Sequence, residues 1–367
     1  MAITSIEIMN VMVFQRQWRL GNGDPKDDSA SPNTSLHDAF RMDFCDGTNV
    51  LIGENGVGKT TILKMIYAAT QWSFEQDDPR KTRKLLQFFS NSLNSSDALK
   101  NASDVDAYSY YRVSDGEHYF EESLSHKGIV DYGQWLGLNI PSVFIPATEM
   151  LSHAKGFLAL NQKYRMPFDG TQSDIIVNAS LPETREVSTS LQPIMDNISA
   201  VIDGTVVQED DSFYVLKHDG RKIEFSLEAE GLRKLGLIWK LLRNGLLESG
   251  TVLLWDEPET NLNPEMYPLV AEILLTLQEN GVQVFLATHS YNFAKYLEIR
   301  RNKQDQVLFH NLYRGTSELP EKLCDVLHDH NHSDGEIYSQ SAYYMEDLNP
   351  NHIMLADEKL LDEVYGA

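Results

Sequence analysis

A glycine-rich stretch between a predicted strand and a predicted helix is the feature that most constrains this fold. The apolar run at residues 50–52 leads into it, and a helical pattern that begins at Ile62 follows it. Residues 53–60 have the spacing G-x-x-x-x-G-K-T, which is that of a phosphate-binding loop. Because strand, loop and helix come in the required order, we interpret this stretch as a nucleotide site and not as a chance glycine-rich turn.

Such a loop binds the phosphates of a nucleotide mainly through its backbone. Glycines let successive N–H groups point at phosphate oxygens, assisted by the positive end of the following helix. Lys59 is expected to reach the β- and γ-phosphates, and Thr60 to offer a hydroxyl to Mg²⁺. The predicted nucleotide-binding residues are Asn55, Gly56, Val57, Gly58, Lys59, Thr60 and Thr61.

Length and charge limit the classes of protein to consider. A chain of 367 residues can form one large α/β domain with an insertion, or two lobes. The formal charge of −23 argues against a broadly basic nucleic-acid groove, so DNA contact is left open and is not predicted. No stretch approaches the length that spans a bilayer, and residues 1–9 lack the pattern of a secretion signal. We expect a soluble, cytoplasmic protein with no membrane partner.

Two further apolar runs end in residues that can carry chemistry. Residues 251–255 lead to Asp256 and Glu257, and residues 282–287 lead towards His289. Ligands of open parallel sheets gather beyond the carboxyl ends of the strands, so both ends should meet the phosphate loop. Asp256 is suited to hold a magnesium complex, and Glu257 to orient or deprotonate an attacking water.

The rest of the chain indicates a nucleotide-binding core that is interrupted by an insertion. Residues 1–71 form the first part of the core and include the phosphate loop. Residues 72–226 lose the core pattern and are predicted to form an inserted lobe, apart from a core strand that returns near residues 142–147. Residues 227–310 resume the core, and residues 311–367 are assigned to a C-terminal tail.

Two short motifs downstream of the phosphate loop resemble those of the ABC-ATPase superfamily. The resemblance extends over most of the chain outside the inserted lobe. It implies an α/β P-loop NTPase with a central, mostly parallel sheet, an antiparallel β subdomain and an inserted helical/β lobe. It also implies that Glu257 is the catalytic carboxylate, that His289 contacts the γ-phosphate, and that Thr60 and Asp256 hold Mg²⁺ beside ATP. The two motifs are Asp256-Glu257-Pro258 and Thr288-His289-Ser290.

In that superfamily a second subunit completes the ATP site through a signature segment, usually Leu-Ser-Gly-Gly-Gln. Residues 229–234 stand in its place, and Glu230 replaces the serine. The resemblance implies a head-to-tail dimer around ATP, with contacts in trans from Glu230, Gly231, Asn261 and Asn263. Because a carboxylate near phosphate is repelled unless it turns away, we expect slow hydrolysis.

The order Asp-Glu-Pro-Glu followed by Asn-Leu-Asn-Pro is similar to the non-transporter branch, which includes the SMC, RecF-like and OLD-like ATPases. The chain lacks the long heptad arms of SMC proteins and an evident nuclease domain of the OLD type. It resembles the stand-alone ATPase subunits of the Septu, PARIS and abortive-infection antiphage systems. This implies a switch that controls a separate nuclease or toxin. A RecF-like DNA-repair clamp, a non-hydrolysing ATP-bound scaffold and a transporter motor subunit stay as alternatives.

Two other segments are assigned less fully. The glutamine loop of the superfamily is expected near Thr148 and Glu149. In the tail, His328, His330 and His332 alternate with other polar residues, which leaves two interpretations open, a metal site or a solvated polar loop.

Overall fold

The computed structural model describes residues 2–15, 17–18, 37–75, 84–90, 95–101, 108–124, 130–131, 134–164, 166–184, 187–315 and 335–366. Its helices are α1 (Lys59–Trp72), α2 (Lys84–Phe89), α3 (Phe157–Tyr164), α4 (Gly170–Ala179), α5 (Gln192–Ile202), α6 (Glu230–Arg243), α7 (Tyr267–Glu279), α8 (Tyr291–Arg300) and α9 (His352–Tyr365). None of these helices has both the length and the apolar character needed to cross a membrane.

The strands occur singly or in groups between these helices along the chain. They are β1 (Ser5–Met9), β2 (Gln17–Trp18), β3 (His37–Asp38), β4 (Phe40–Asp43), β5 (Thr48–Gly53), β6 (Tyr110–Ser114), β7 (Tyr119–Ser123), β8 (Val130–Asp131), β9 (Ser142–Ile145), β10 (Gly204–Glu209), β11 (Ser212–Lys217), β12 (Lys222–Glu224), β13 (Val252–Asp256), β14 (Gln283–Ala287), β15 (Val307–Arg314) and β16 (Ile337–Ala342).

A mostly parallel sheet forms the centre of the molecule. Among the described residues its strand order is β16-β15-β5-β14-β13-β9, and only the edge strand β16 runs antiparallel to its neighbour. Every residue of β5, β13 and β14 is buried, as expected for parallel strands that are covered on both faces. The three strands that were predicted to end at one site are therefore neighbours, and the returning strand β9 lies beside them.

Hydrophobic cores lie on both faces of this sheet, because successive side chains of a strand point to opposite sides. Val50, Leu253 and Val284 pack in the core that includes residues of α6, α7 and α8. Their chain neighbours Leu51, Leu254 and Phe285 pack in the core that includes α1, β1 and β6. The central strands thus lie between two packed layers, and this packing fixes the positions of the loops at their carboxyl ends.

A second sheet contains strands from the segment that was predicted to be an inserted lobe. Its strand order is β4-β1-β6-β7-β8, and Ile8 of β1 pairs with Tyr111 of β6. The aromatic residues of β6 and β7 thus lie in the sheet that contains the first strand, and Tyr111 and Phe120 are buried with Ile8 in one core. The predicted inserted lobe, residues 72–226 with a returning core strand near 142–147, thus includes β6, β7 and β8, and these strands form the predicted antiparallel β subdomain with β1 and β4.

Part of the predicted C-terminal tail belongs to the central sheet. β15 pairs with β5 from Val307 opposite Thr48 to Leu312 opposite Gly53, so the predicted boundary at residues 310/311 cuts a core strand. The strand continues because its apolar and aromatic residues are buried there and are paired on both sides. The histidines proposed as metal ligands, His328, His330 and His332, lie outside the described residues.

Candidate functional site: the edge of the central sheet

The phosphate loop joins the buried strand β5 to helix α1. Gly58 caps the helix with φ of 99°, a left-handed backbone that glycine adopts readily. A Cβ atom at Gly58 would lie 2.5 Å from Cζ of Phe14 and 2.9 Å from Cγ2 of Val13, so glycine is required here for space as well. Val57 is buried beneath the loop, whereas Asn55 and Gly56 are exposed at its tip.

Lys59 is the buried cation of the site. Its Nζ donates hydrogen bonds to the backbone oxygen of Gly53 at 2.7 Å and to that of Glu54 at 2.9 Å. Burial lowers the pKa of Lys59, and the nearby carboxylates of Asp256 and Glu257 oppose this effect. The ammonium group therefore lies at the foot of the loop, facing backbone oxygens.

Thr60 and Asp256 come together as a set of hard oxygen ligands. The Thr60 hydroxyl lies 3.0 Å from both carboxylate oxygens of Asp256, across the junction between α1 and β13. Burial raises the pKa of Asp256 to about 6. One hydroxyl and one carboxylate, with the rest supplied by phosphate and water, suit Mg²⁺, and the described residues contain no larger His, Cys, Asp or Glu cluster for a metal.

Glu257 occupies a strained backbone position directly after β13. Its φ is 48°, which is uncommon for a residue with a side chain and is often found at functional sites. Its amide donates to the Ala287 oxygen at 2.8 Å, and Oε2 accepts from the Thr260 hydroxyl at 3.0 Å. These bonds fix the carboxylate at the end of the sheet, where a general base would be needed.

His289 lies beside Glu257 at this edge of the sheet. Its Nδ1 is 3.6 Å from Oε1 of Glu257 and 3.7 Å from Oε1 of Glu259. Glu259 is buried, and its Oε1 accepts hydrogen bonds from the Thr288 hydroxyl at 2.6 Å and from the His289 amide at 3.2 Å. Motif comparison did not single out Glu259, although it belongs to the same Asp-Glu-Pro-Glu segment.

The residues predicted to contact a second subunit are gathered at the start of α6 and on the loop after β13. Asn261 donates to Oε1 of Glu230 at 2.7 Å, so this carboxylate is held by an amide of its own chain. Gly231 is buried beneath the same loop, where a Cβ would lie 3.2 Å from the Asn261 oxygen. Asn263 instead caps the next turn by accepting from the Glu265 amide.

Helix α6 is tied to the loop after β13 and to the segment around Glu149 by two cations that sequence analysis had not assigned. The Nζ of Lys234 donates to the Thr260 oxygen at 2.6 Å and to the Glu257 oxygen at 3.2 Å, and burial lowers the pKa of Lys234. Arg233 forms an ion pair at 3.1 Å with the buried carboxylate of Glu149, in the segment expected to be the glutamine loop. The start of α6, where the signature segment is predicted, is thus bonded to the loop after β13 and to the segment around Glu149.

Arg314 brings a further cation to the phosphate loop. It lies at the carboxyl end of β15, and its Nη2 donates to the Gly56 oxygen at 2.8 Å. Sequence analysis missed it because β15 was divided between core and tail. Once β15 is recognised as the neighbour of β5, its last residue is expected at this edge of the sheet.

Comparisons with known proteins agree with this architecture. Residues 146–294 match a family described as "AAA domain, putative AbiEii toxin, Type IV TA system". No curated protein matches the chain. A structure described as the SmcHead bound to the C-winged helix domain of ScpA has 10% identity and a TM-score of 0.51, and the alignment covers 93% of this chain and 98% of that one.

Two other solved structures are also similar to this chain. The SMC head domain from Thermotoga maritima has 13% identity and a TM-score of 0.46, with 93% of this chain and 99% of that chain covered. An Smc head domain with an extended coiled coil, bound to a ScpA domain derived from Pyrococcus furiosus, has 9% identity and a TM-score of 0.49, with 99% of each chain covered. The predicted fold class is confirmed: the chain has an α/β P-loop NTPase fold of the ABC/SMC-head type.

Proposed function

We propose that this protein is an ATP-dependent switch that binds Mg²⁺ and ATP, closes as a head-to-tail dimer around ATP and hydrolyses it slowly. The observation that carries this proposal is the contact of the Thr60 hydroxyl with Asp256, with Glu257 and His289 beside it. Segments far apart in the chain supply a phosphate loop, a metal ligand and a carboxylate base at one sheet edge. Phosphoryl transfer to water needs this combination.

Each side chain has a separate task in this proposal. The loop N–H groups and Lys59 would bind the phosphates. Thr60 and Asp256 would hold Mg²⁺, which when bound supplies positive charge to the β- and γ-phosphate oxygens. Glu257 would orient the attacking water and accept its proton, and His289 would contact the γ-phosphate.

Hydrolysis is tested by measuring phosphate release from the purified protein and from two variants. Glu257→Gln should bind ATP like the parent but release phosphate at least about 100-fold more slowly, because the general base is lost. Lys59→Ala should lose ATP binding itself. Equal phosphate release by the parent and Glu257→Gln would end the proposal of an ATPase.

Dimer formation is tested separately by light scattering with and without Mg²⁺ and ATP. We expect Glu257→Gln to accumulate as an ATP-bound dimer, because closing is retained while hydrolysis is slow. Lys59→Ala, which cannot hold the phosphates, serves as the control and should stay in the nucleotide-free state. An ATP-bound Glu257→Gln protein that stays monomeric would contradict head-to-tail closure.

A second function, that of a non-hydrolysing ATP-bound scaffold, is favoured by one observation. Glu230 stands where the signature serine is expected and is held by Asn261. If this carboxylate stays near the partner's γ-phosphate, the dimer would still close around ATP. The like charge would then destabilise the transition state for hydrolysis. ATP-dependent dimers of the parent that release no phosphate would select this function.

We further propose that the switch controls a separate effector, a nuclease or a toxin, in antiphage defence. Support comes from the matched family, whose description names an AbiEii toxin, and from an SMC-head structure that is bound to a ScpA domain. The test is to co-express the chain with the protein encoded beside it and to measure co-purification and phage resistance. Resistance that requires both proteins and is lost in Lys59→Ala is expected. Resistance unaffected by Lys59→Ala would refute ATP control.

A further inference from the structure

Glu259 is a buried carboxylate that has no place in the chemistry described above. It lies two residues after the proposed base and is 5% exposed. Its Oε1 accepts from the Thr288 hydroxyl and from the His289 amide. Its Oε2 is also buried, and within the described part of the chain no group donates a hydrogen bond to it.

Such a group is costly in a folded protein. An unsatisfied buried polar atom destabilises the folded state, and more so when the group is charged. An apolar residue of similar volume would avoid this cost at Oε2 but would leave the Thr288 hydroxyl and the His289 amide without their acceptor. The two hydrogen bonds that the carboxylate does accept both come from the segment that carries His289.

Glu259 and the main chain hold the end of β14 from two sides. The Thr288 amide donates to the Leu51 oxygen of β5 at 3.0 Å, while the Thr288 hydroxyl donates to Glu259. The imidazole that follows has its Nδ1 between two carboxylates, those of Glu257 and Glu259. Removing Glu259 would leave the main-chain bond to β5 but would free the hydroxyl and the His289 amide.

The same residue is also part of the loop that leads to the predicted dimer surface. The backbone oxygen of Glu259 accepts from the Leu262 amide at 3.0 Å, and Asn261 lies within this turn. A displacement of Asn261 would move the Glu259 backbone and, through its side chain, the His289 segment. Glu259 therefore connects the loop after β13 with the loop after β14.

We propose that Glu259 is a positioning residue: it holds Thr288 and His289 so that the imidazole stays at the γ-phosphate position, and it transmits movement of the Asn261 turn to that histidine. Glu259 itself touches no substrate. The kinetic part of this inference rests on the proposed ATPase function, whereas the structural part does not. The two parts are tested separately.

The kinetic test is a double-mutant cycle of Glu259→Ala and His289→Ala. Because a displaced catalytic group can lose about 100-fold in rate, we expect Glu259→Ala to lower kcat by this order while KM for ATP changes less than about twofold. The double variant should be no slower than His289→Ala alone. Glu272→Ala, which changes an exposed glutamate on α7, is the matched control and should behave like the parent.

The structural test is hydrogen–deuterium exchange at the His289 amide in the protein without nucleotide. Glu259→Ala should increase exchange there, because the acceptor is lost, whereas Glu259→Gln should retain protection and most of kcat, because one side-chain oxygen still accepts. If Glu259→Ala does not fold, Glu259→Leu, which keeps most of the side-chain volume but also lacks an acceptor, gives the same comparison. Unchanged exchange, or rate losses that multiply in the double variant, would overturn the inference. If the parent does not hydrolyse ATP, the proposed function fails, and exchange at His289 still decides the role of Glu259.

Discussion

Replacing Asp256 by asparagine should stabilise the protein in the absence of nucleotide and remove the stabilisation that Mg²⁺ and ATP provide. Asp256 is buried at the end of β13, and this burial raises the pKa of its carboxyl to about 6. The hydrogen bond from Thr60 lowers the pKa and offsets only part of the effect. Asparagine keeps an acceptor for Thr60 but carries no charge.

The size of the effect follows from the pKa. A change from 3.8 to about 6 corresponds to roughly 3 kcal/mol, at 1.36 kcal/mol for each pKa unit. The folded protein binds this proton more tightly than the unfolded chain does. The stabilisation by the neutral carboxyl is therefore complete below about pH 4 and is lost as the pH rises through about 6. At pH 7.5 the parent carries the full cost of the buried charge, and the variant does not.

The assay is urea denaturation of the parent and Asp256→Asn at pH 7.5 and pH 5, with and without Mg²⁺ and ATP. Without ligand we expect the variant to be more stable by roughly 3 kcal/mol at pH 7.5 and by about half of this at pH 5. Ligand should stabilise the parent by RT ln(1 + [L]/Kd) and the variant far less. A variant no more stable than the parent at pH 7.5, or a difference independent of pH, would refute this reasoning.

Three further predictions concern the loop, the core and the signature. Gly58→Ala should have a free energy of unfolding about 1–3 kcal/mol lower than Gly250→Ala and should unfold at a lower temperature. Both glycines have positive φ, but only at Gly58 would an added Cβ lie 2.5 Å from Cζ of Phe14. Equal thermal shifts would argue against the steric cause. Burial lowers the pKa of His310 to about 3, so stability should fall by up to about 5 kcal/mol as the pH drops from 6.5 towards 3, and acid titration of His310→Gln should show a smaller loss. A parent and variant with the same acid midpoint would contradict this. Glu230→Ser should increase the ATP-bound dimer fraction in light scattering, because the serine removes a like charge from phosphate. A decrease would mean that the carboxylate contributes to closure.

Much of the site could be predicted because its signals are local. The loop spacing fixes the positions of Lys59 and Thr60, and a buried strand followed by Asp256 defines a second strand end. Parallel strands covered on both faces appear as continuous apolar runs, so their ends can be located without knowing which strands pair. The rule that ligands gather at carboxyl ends then brings the segments together.

What could not be predicted depends on contacts between residues distant in sequence. The pairing of Ile8 with Tyr111 joins segments whose own patterns are equally compatible with a separate lobe. β15 and its Arg314 were missed for the same reason, because pairing with β5 decides where the core ends. Strand pairing is selected by long-range packing, which a local pattern does not contain.

The site also combines several groups that are individually unfavourable. Burial raises the pKa of Asp256 and lowers that of Lys59, so each resists its charged form. Glu257 is held with positive φ, and Glu259 has a buried oxygen without a donor in the described structure. A complex of Mg²⁺ with a triphosphate would place a cation at Asp256 and anionic oxygens at Lys59, which favours both charged forms. The free energy of nucleotide binding would therefore be most favourable in the conformation that brings all these groups to the nucleotide. A ligand shifts an equilibrium between two conformations by the difference between its binding free energies for them.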